Sequence, residues 1–289
     1  MTRASRHVLF GAFTLTLLGV HVGAVRRVIE LSLHDATASH LVFVPFMTLA
    51  LLYNRRDLLF TAEPPGLAAA SWNLGGLIGL SWVAGALAPA AGPVYALTLV
   101  AAAMATAWVA GFAACYGALS FRAGLFPLLF LGFAIPIPST FVDVAVLLLK
   151  SGSARVVAAL FSLTGMPFHR SGYVFALPAL RIEIADQCSG IRSSLALVMT
   201  AVLAGQLFLT TTWKRVLVVL VAVPFAVVKN GFRIVALSLL ATYVDPGFMT
   251  GALHHEGGIV FFTIGLAVLA PFFLALSRSE PALTREHSS

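Results

Sequence analysis

Residues 216–240 read "VLVVLVAVPFAVVKNGFRIVALSLL". At 25 residues the stretch is long enough to cross a hydrocarbon layer of roughly 30 Å, which takes about 20 apolar residues as a helix. Working outward, the same kind of run recurs along the whole chain. Of 289 residues, 60% are hydrophobic and only 10% carry a charge, and the mean hydropathy is +0.97. That balance excludes an ordinary soluble domain and predicts an all-α polytopic membrane protein. About eight apolar stretches are expected, near 8–25, 41–53, 70–90, 95–117, 123–149, 189–210, 216–244 and 257–276. The second is short for a full span and must borrow flanking residues or thin the bilayer.

Residues 1–276 are expected to form a single transmembrane domain, followed by a polar tail at 277–289. Arg3 and Arg6 before an apolar run give the first span a superficial likeness to a signal peptide. The sequence "VHVGAVRR" (20–27) has no convincing small-residue cleavage site, so a retained helix is expected. The net charge of +7 does not indicate nucleic acid, because the basic residues stand singly or in pairs between spans. Placing the N- and C-termini in the cytoplasm puts Arg3, Arg6, Arg55, Arg56, Arg122, Lys214, Arg215, Arg278 and Arg285 on that side. Segments 26–40, 150–187 and 245–256 then lie outside.

The outer segment 150–187 is the longest between spans. Its first half, "ARVVAALFSL" (154–163), has a helical apolar pattern suited to the interface or to packing on the bundle. Further on, "LRIEIA" (180–185) alternates apolar with polar, which predicts a short extended or hairpin element leading into "DQCSGIRSS" (186–194). Cys188 is thereby expected at the outer end of the sixth span.

Ionisable groups beside or within spans cost several kcal/mol unless paired or hydrated, so each calls for a role. Asn230 and Arg233 are three residues apart and project from one helix face. His254, His255 and Glu256 directly precede the last span. A thiol, a guanidinium and an imidazole are thus expected at one membrane depth. Together they can serve acyl transfer: a thiolate nucleophile, a histidine acid/base and an arginine for the oxyanion. Adjacent histidines with one Glu make a poor zinc site, so no metal or cofactor is expected. Cys115, in "GFAACYGAL", reads as a buried small hydrophobe. His40, in "ATASHLV", is the least settled of the remaining histidines.

These residues bear a resemblance. "CSGIRSS" (188–194), "KNGFRI" (229–234) and "LHHEGGIVFF" (253–262) are similar, in order, to the C-S-G-I-R, N-x-x-R and H-x-x-x-G motifs of the exosortase/archaeosortase family. "SHLVFVPFMTLALLYNRR" (39–56) and "PLLFLGFAIPIP" (127–138) resemble its upstream segments. The resemblance implies Cys188 as nucleophile, Arg233 as essential arginine and His254 as catalytic histidine, with His255 ranked second. Asn230, Arg192, Ser189 and Gly190 are carried along as supporting residues. Gln187 departs from the smaller or acidic residue expected before the Cys. It also implies a membrane-embedded cysteine peptidase or transpeptidase whose partners are membrane-anchored proteins ending in a PEP-CTERM-like sorting signal. Two other classes stay open: a transporter, against which stands the lack of an evident inverted repeat, and a non-enzymatic factor for polysaccharide or envelope export.

Overall fold

The computed structural model describes residues 3–35, 37–60, 67–186, 189–249 and 257–280. Six of its helices are long and apolar enough to cross a membrane, and a bent pair near the N-terminus makes a seventh candidate span. The chain is a multi-pass helical membrane protein. It divides into two compact units, 1–142 and 143–289.

The first unit opens with α1 (Arg3–Val20) and α2 (Val22–His34), bent by 78° at His21. The His21 imidazole meets the Ser81 hydroxyl at 3.1 Å, so the break places a polar side chain against a polar partner. Next come α3 (Phe43–Asn54), the short apolar helix where a short second span was expected, and α4 (Arg56–Leu59). They are followed by α5 (Leu67–Leu87), with a 3₁₀ turn at Ala88–Ala91, and α6 (Pro93–Ala123). Gly117 interrupts α6 with φ 85° and ψ 172°, a conformation open to glycine. The core of this unit gathers Phe13, Leu17, Phe112, Cys115, Tyr116 and Leu128. Cys115 is buried there, in the role of a small apolar side chain.

The expected fifth span, 123–149, is divided. α7 (Leu125–Phe130) and a 3₁₀ turn (Leu131–Ala134) lead through Pro136 and Pro138 to α8 (Ser139–Thr164). Proline has no N–H to give a helix and biases the residue before it toward extended backbone, so an apolar run containing both prolines cannot stay one helix. The spanning helix starts directly after Pro138, and "ARVVAALFSL" is its continuation rather than a separate interfacial helix.

The second unit is α8, a three-stranded antiparallel sheet, and three further helices. The strands are β1 (His169–Ser171), β2 (Val174–Ala176) and β3 (Arg181–Glu183), in that order across the sheet. Phe175 pairs with Ile182, and both point inward onto Ala154, Val157 and Phe161 of α8. The alternation in "RIEI" therefore marks a real sheet face. After it come α9 (Ile191–Phe208), α10 (Thr212–Tyr243) and α11 (Gly257–Arg278).

Helix α10 organises this unit. It runs antiparallel to α9: Ser193 meets Lys229 near one end, and Gly205 lies against Arg215 near the other. Against α8 it runs parallel, with Gly152 beside Val227 and Gly231 beside Val156. A Cβ on Gly231 would lie 2.5 Å from Val156 Cγ1, so the two backbones approach as closely as they do only because no side chain intervenes. α11 packs on the other side, contributing Phe262, Leu266, Leu269 and Phe273 around Val218, Ala222 and Ala226. At the far end, Glu280 accepts hydrogen bonds from the Thr210 and Thr211 hydroxyls and lies 3.5 Å from Lys214 Nζ. This joins the α9–α10 turn to the end of α11.

Candidate functional site

About 20 residues of helix span the hydrocarbon layer, so counting from Thr212 puts Lys229, Asn230 and Arg233 near its opposite boundary. The 18 residues of α9, rising about 27 Å, bring its first turn to the same level. The last turns of α10 and the sheet continue past it, with Val235 packed among the sheet residues.

Asn230 is the centre of the arrangement, only 2% exposed. Its amide nitrogen donates to Ser153 Oγ at 3.0 Å and to the Ser189 carbonyl at 3.2 Å. One side chain thus holds α8 and the entry to α9 on α10. An amide suits this position because its NH₂ carries two donors, and each has a buried acceptor. Ser153 and Ser189 are fully buried, so the bonds form where water cannot replace them.

Gly190 explains its own identity. It caps α9 in the left-handed region, φ 77° and ψ 13°, where a side chain is strained. A Cβ there would also lie 2.7 Å from Asn230 Oδ1 and 2.8 Å from its Cγ. Its carbonyl accepts from the Ser194 amide at 2.9 Å and from the hydroxyls of Ser193 and Ser194 at 3.0 and 2.9 Å. The polypeptide therefore turns sharply into α9 with its backbone pressed onto Asn230. Just upstream, the Ser189 amide donates to Asp186 O, and Asp186 in turn pairs with Lys150 at 2.8 Å.

Of the residues singled out in the sequence, the structure brings Ser189, Gly190 and Asn230 into direct contact. Arg233 follows Asn230 by one turn on α10 and is half-buried; Arg192, in the first turn of α9, is exposed. Cys188, Gln187, His254, His255 and Glu256 lie outside the described residues. Three neighbours carry no mark in the sequence: Ser153, which Asn230 holds, and Ser193, to which Lys229 Nζ donates at 2.8 Å, are ordinary helix serines. The third, Lys150, belongs to a helix whose register against Asp186 is set only by the fold. Lys229 stood out as a charge in an apolar run, but nothing in the spacing tied it to Ser193.

The geometry defines a class: a multi-pass membrane protein in which the segments "SGIRSS" and "KNGFR" are hydrogen-bonded together at one boundary of the bundle. The family model described as transmembrane exosortase matches residues 31–271, more than four-fifths of the chain. The chain belongs to the transmembrane exosortase family. No curated protein and no solved structure matches it at a significant level.

Proposed function

We propose that the protein is a membrane-embedded cysteine peptidase or transpeptidase that cleaves C-terminal sorting signals of exported proteins. In this reading Cys188 is the nucleophile, and His254 takes the thiol proton and returns it to the leaving amine. Arg233 stabilises the oxyanion. Family membership supports the class of reaction. The observation that carries the assignment of residues is the Asn230 clamp. It bonds the carbonyl of Ser189, the residue after Cys188, to the helix that carries Arg233 one turn further on. Two distant parts of the chain that each hold a candidate group are thereby joined at one membrane boundary. The helix that follows His254 packs against the same α10.

The chemistry is an acyl transfer. Thiolate sulfur attacks the scissile carbonyl, the C–N bond breaks with a proton passing from imidazolium to the departing amine, and water or an acceptor amine releases the acyl group from sulfur. No metal or cofactor takes part. Positive charge at the ends of the spans favours an extracytoplasmic site, with both termini in the cytoplasm. A substrate with an apolar helix and a basic cluster inside would then present its short motif at the level of Asn230 and Arg233.

Co-expression with a protein that ends in a sorting signal, followed by electrophoresis, tests the proposal. Wild type is expected to yield the shortened product and Cys188→Ala to leave the substrate intact. Equal processing by both rules out the cysteine mechanism.

A further inference from the structure

Lys229 is 8% exposed, yet no described carboxylate forms an ion pair with it. Its ammonium group donates to Ser193 Oγ at 2.8 Å and stands 6.0 Å from the Phe262 ring centre. Neither is an anion. Nor does the side chain escape to the membrane surface. Its stem crosses α11 at Gly265, where an added Cβ would lie 2.9 Å from Lys229 Cδ. A lysine that merely snorkels keeps its head in water, and this one does not.

Other features at the same place also favour negative charge. Arg233 is four residues on, on the same face of α10, so a second cation adds to the field. α9 begins there and is 18 residues long, and the amides of its first turn have no acceptor within the helix. Ser189 Oγ is fully buried and has no hydrogen-bond partner among the described residues. Asp186, the acid nearest Ser189 in the sequence, is engaged by Lys150. A buried cation without a counter-ion costs several kcal/mol, whereas one that receives a fixed carboxylate becomes a strong and selective contact.

We infer that Lys229, held in place by Ser193 Oγ, forms with the hydroxyl of Ser189 a binding site for a carboxylate of a bound peptide. The carboxylate is either an acidic side chain beside the scissile bond or the new C-terminus that cleavage creates. The peptide nature of the ligand rests on the function proposed above; the preference for an anion rests on Lys229 and the groups described around it. Lys229 is then a specificity residue. It holds one carboxylate of the peptide while other groups act on the scissile bond.

Binding rather than turnover tests the site. The full chain carrying Cys188→Ala, in lipid nanodiscs, is titrated with three versions of a peptide derived from a sorting signal. One has an internal Glu and an amidated C-terminus, one an internal Gln and a free C-terminus, and one an internal Gln and an amidated C-terminus. At least one carboxylate-bearing peptide is expected to bind about 30-fold or more tighter than the doubly neutral one. Lys229→Met should abolish that difference, Lys229→Arg should keep most of it, and the peptide that shows it names the source of the carboxylate. Equal affinity for all three peptides, or a preference that survives Lys229→Met, overturns the inference. Processing by the otherwise wild-type chain is assayed in parallel. Carboxylate-dependent binding with Cys188-independent processing would sink the cysteine mechanism and leave this site standing.

Discussion

Adding a single methyl group at Gly190 probes how tightly the entry to α9 is pressed onto α10. In Gly190→Ala two separate costs arise. The backbone stays at φ 77°, which for an L-residue with a side chain costs roughly 1–2 kcal/mol. The new Cβ would sit 2.7 Å from Asn230 Oδ1, so Asn230 or the turn must move; overpacking of this kind typically costs about 1–3 kcal/mol. The sum is about 2–5 kcal/mol. Asn230→Ala alone strands the hydrogen-bonding capacity of Ser153 and Ser189 at about 1–3 kcal/mol, but it also removes the atoms that the methyl would strike. The double variant should therefore be more stable than the sum of the single effects predicts, by about 1–3 kcal/mol. The left-handed backbone term remains in both. Thermal or denaturant unfolding of the four chains in one detergent measures this coupling, and sorting-signal processing is read alongside. Additivity within about 0.5 kcal/mol would mean that Gly190 and Asn230 are not in contact, and would refute the clamp.

Two further outcomes are expected. Hydrogen bonds from Thr210 and Thr211, together with Lys214, hold the Glu280 carboxyl at about 2, below its ordinary 4.5. A depressed carboxylate contributes stability above its unfolded value and loses it as pH falls from about 4.5 toward 2, so wild type should lose thermal stability across that window. Glu280→Gln should flatten the dependence, and identical pH profiles would contradict the assignment. Arg233→Lys keeps a charge but loses the planar fork of donors. Processing should fall by about 100-fold or more while the unfolding temperature changes little, and unchanged processing would remove Arg233 from the proposed mechanism.

Membrane character was legible because the hydrophobic pattern that drives insertion is written in the sequence itself. Segment 216–244 became α10, and 189–210 became α9 shifted by only a residue or two. Segment 123–149 misled for a physical reason. Summed hydropathy gives Pro136 and Pro138 little weight, whereas backbone geometry lets the two of them decide where α8 begins. The sheet was foreshadowed by the alternation around Ile182, since a period of two survives even in a three-residue strand.

The pairing within the site was half visible. Asn230 and Arg233 share a face by helical spacing, which needs no tertiary information. What Asn230 touches could not be read, because Ser153 lies 77 residues away and Ser189 lies 41 residues away in the chain. The crossing of α8 over α10 brings them together, and that crossing depends on small residues at Gly152 and Gly231 whose importance shows only once the two helices are seen in contact.

The Glu280 contact gives the last three helices an asymmetry. It staples the α9–α10 turn to the tip of α11, whose end at Arg278 lies roughly 20 Å along the helix from Gly265 by helical rise. That end is fastened by one carboxylate and two threonines, whereas the other end is fastened by the buried Asn230 amide between α8, α9 and α10 and by the Lys229–Ser193 bond. In the proposed function a peptide would be received at that second end, so its binding energy would be drawn on a bundle whose opposite end is held independently by Glu280.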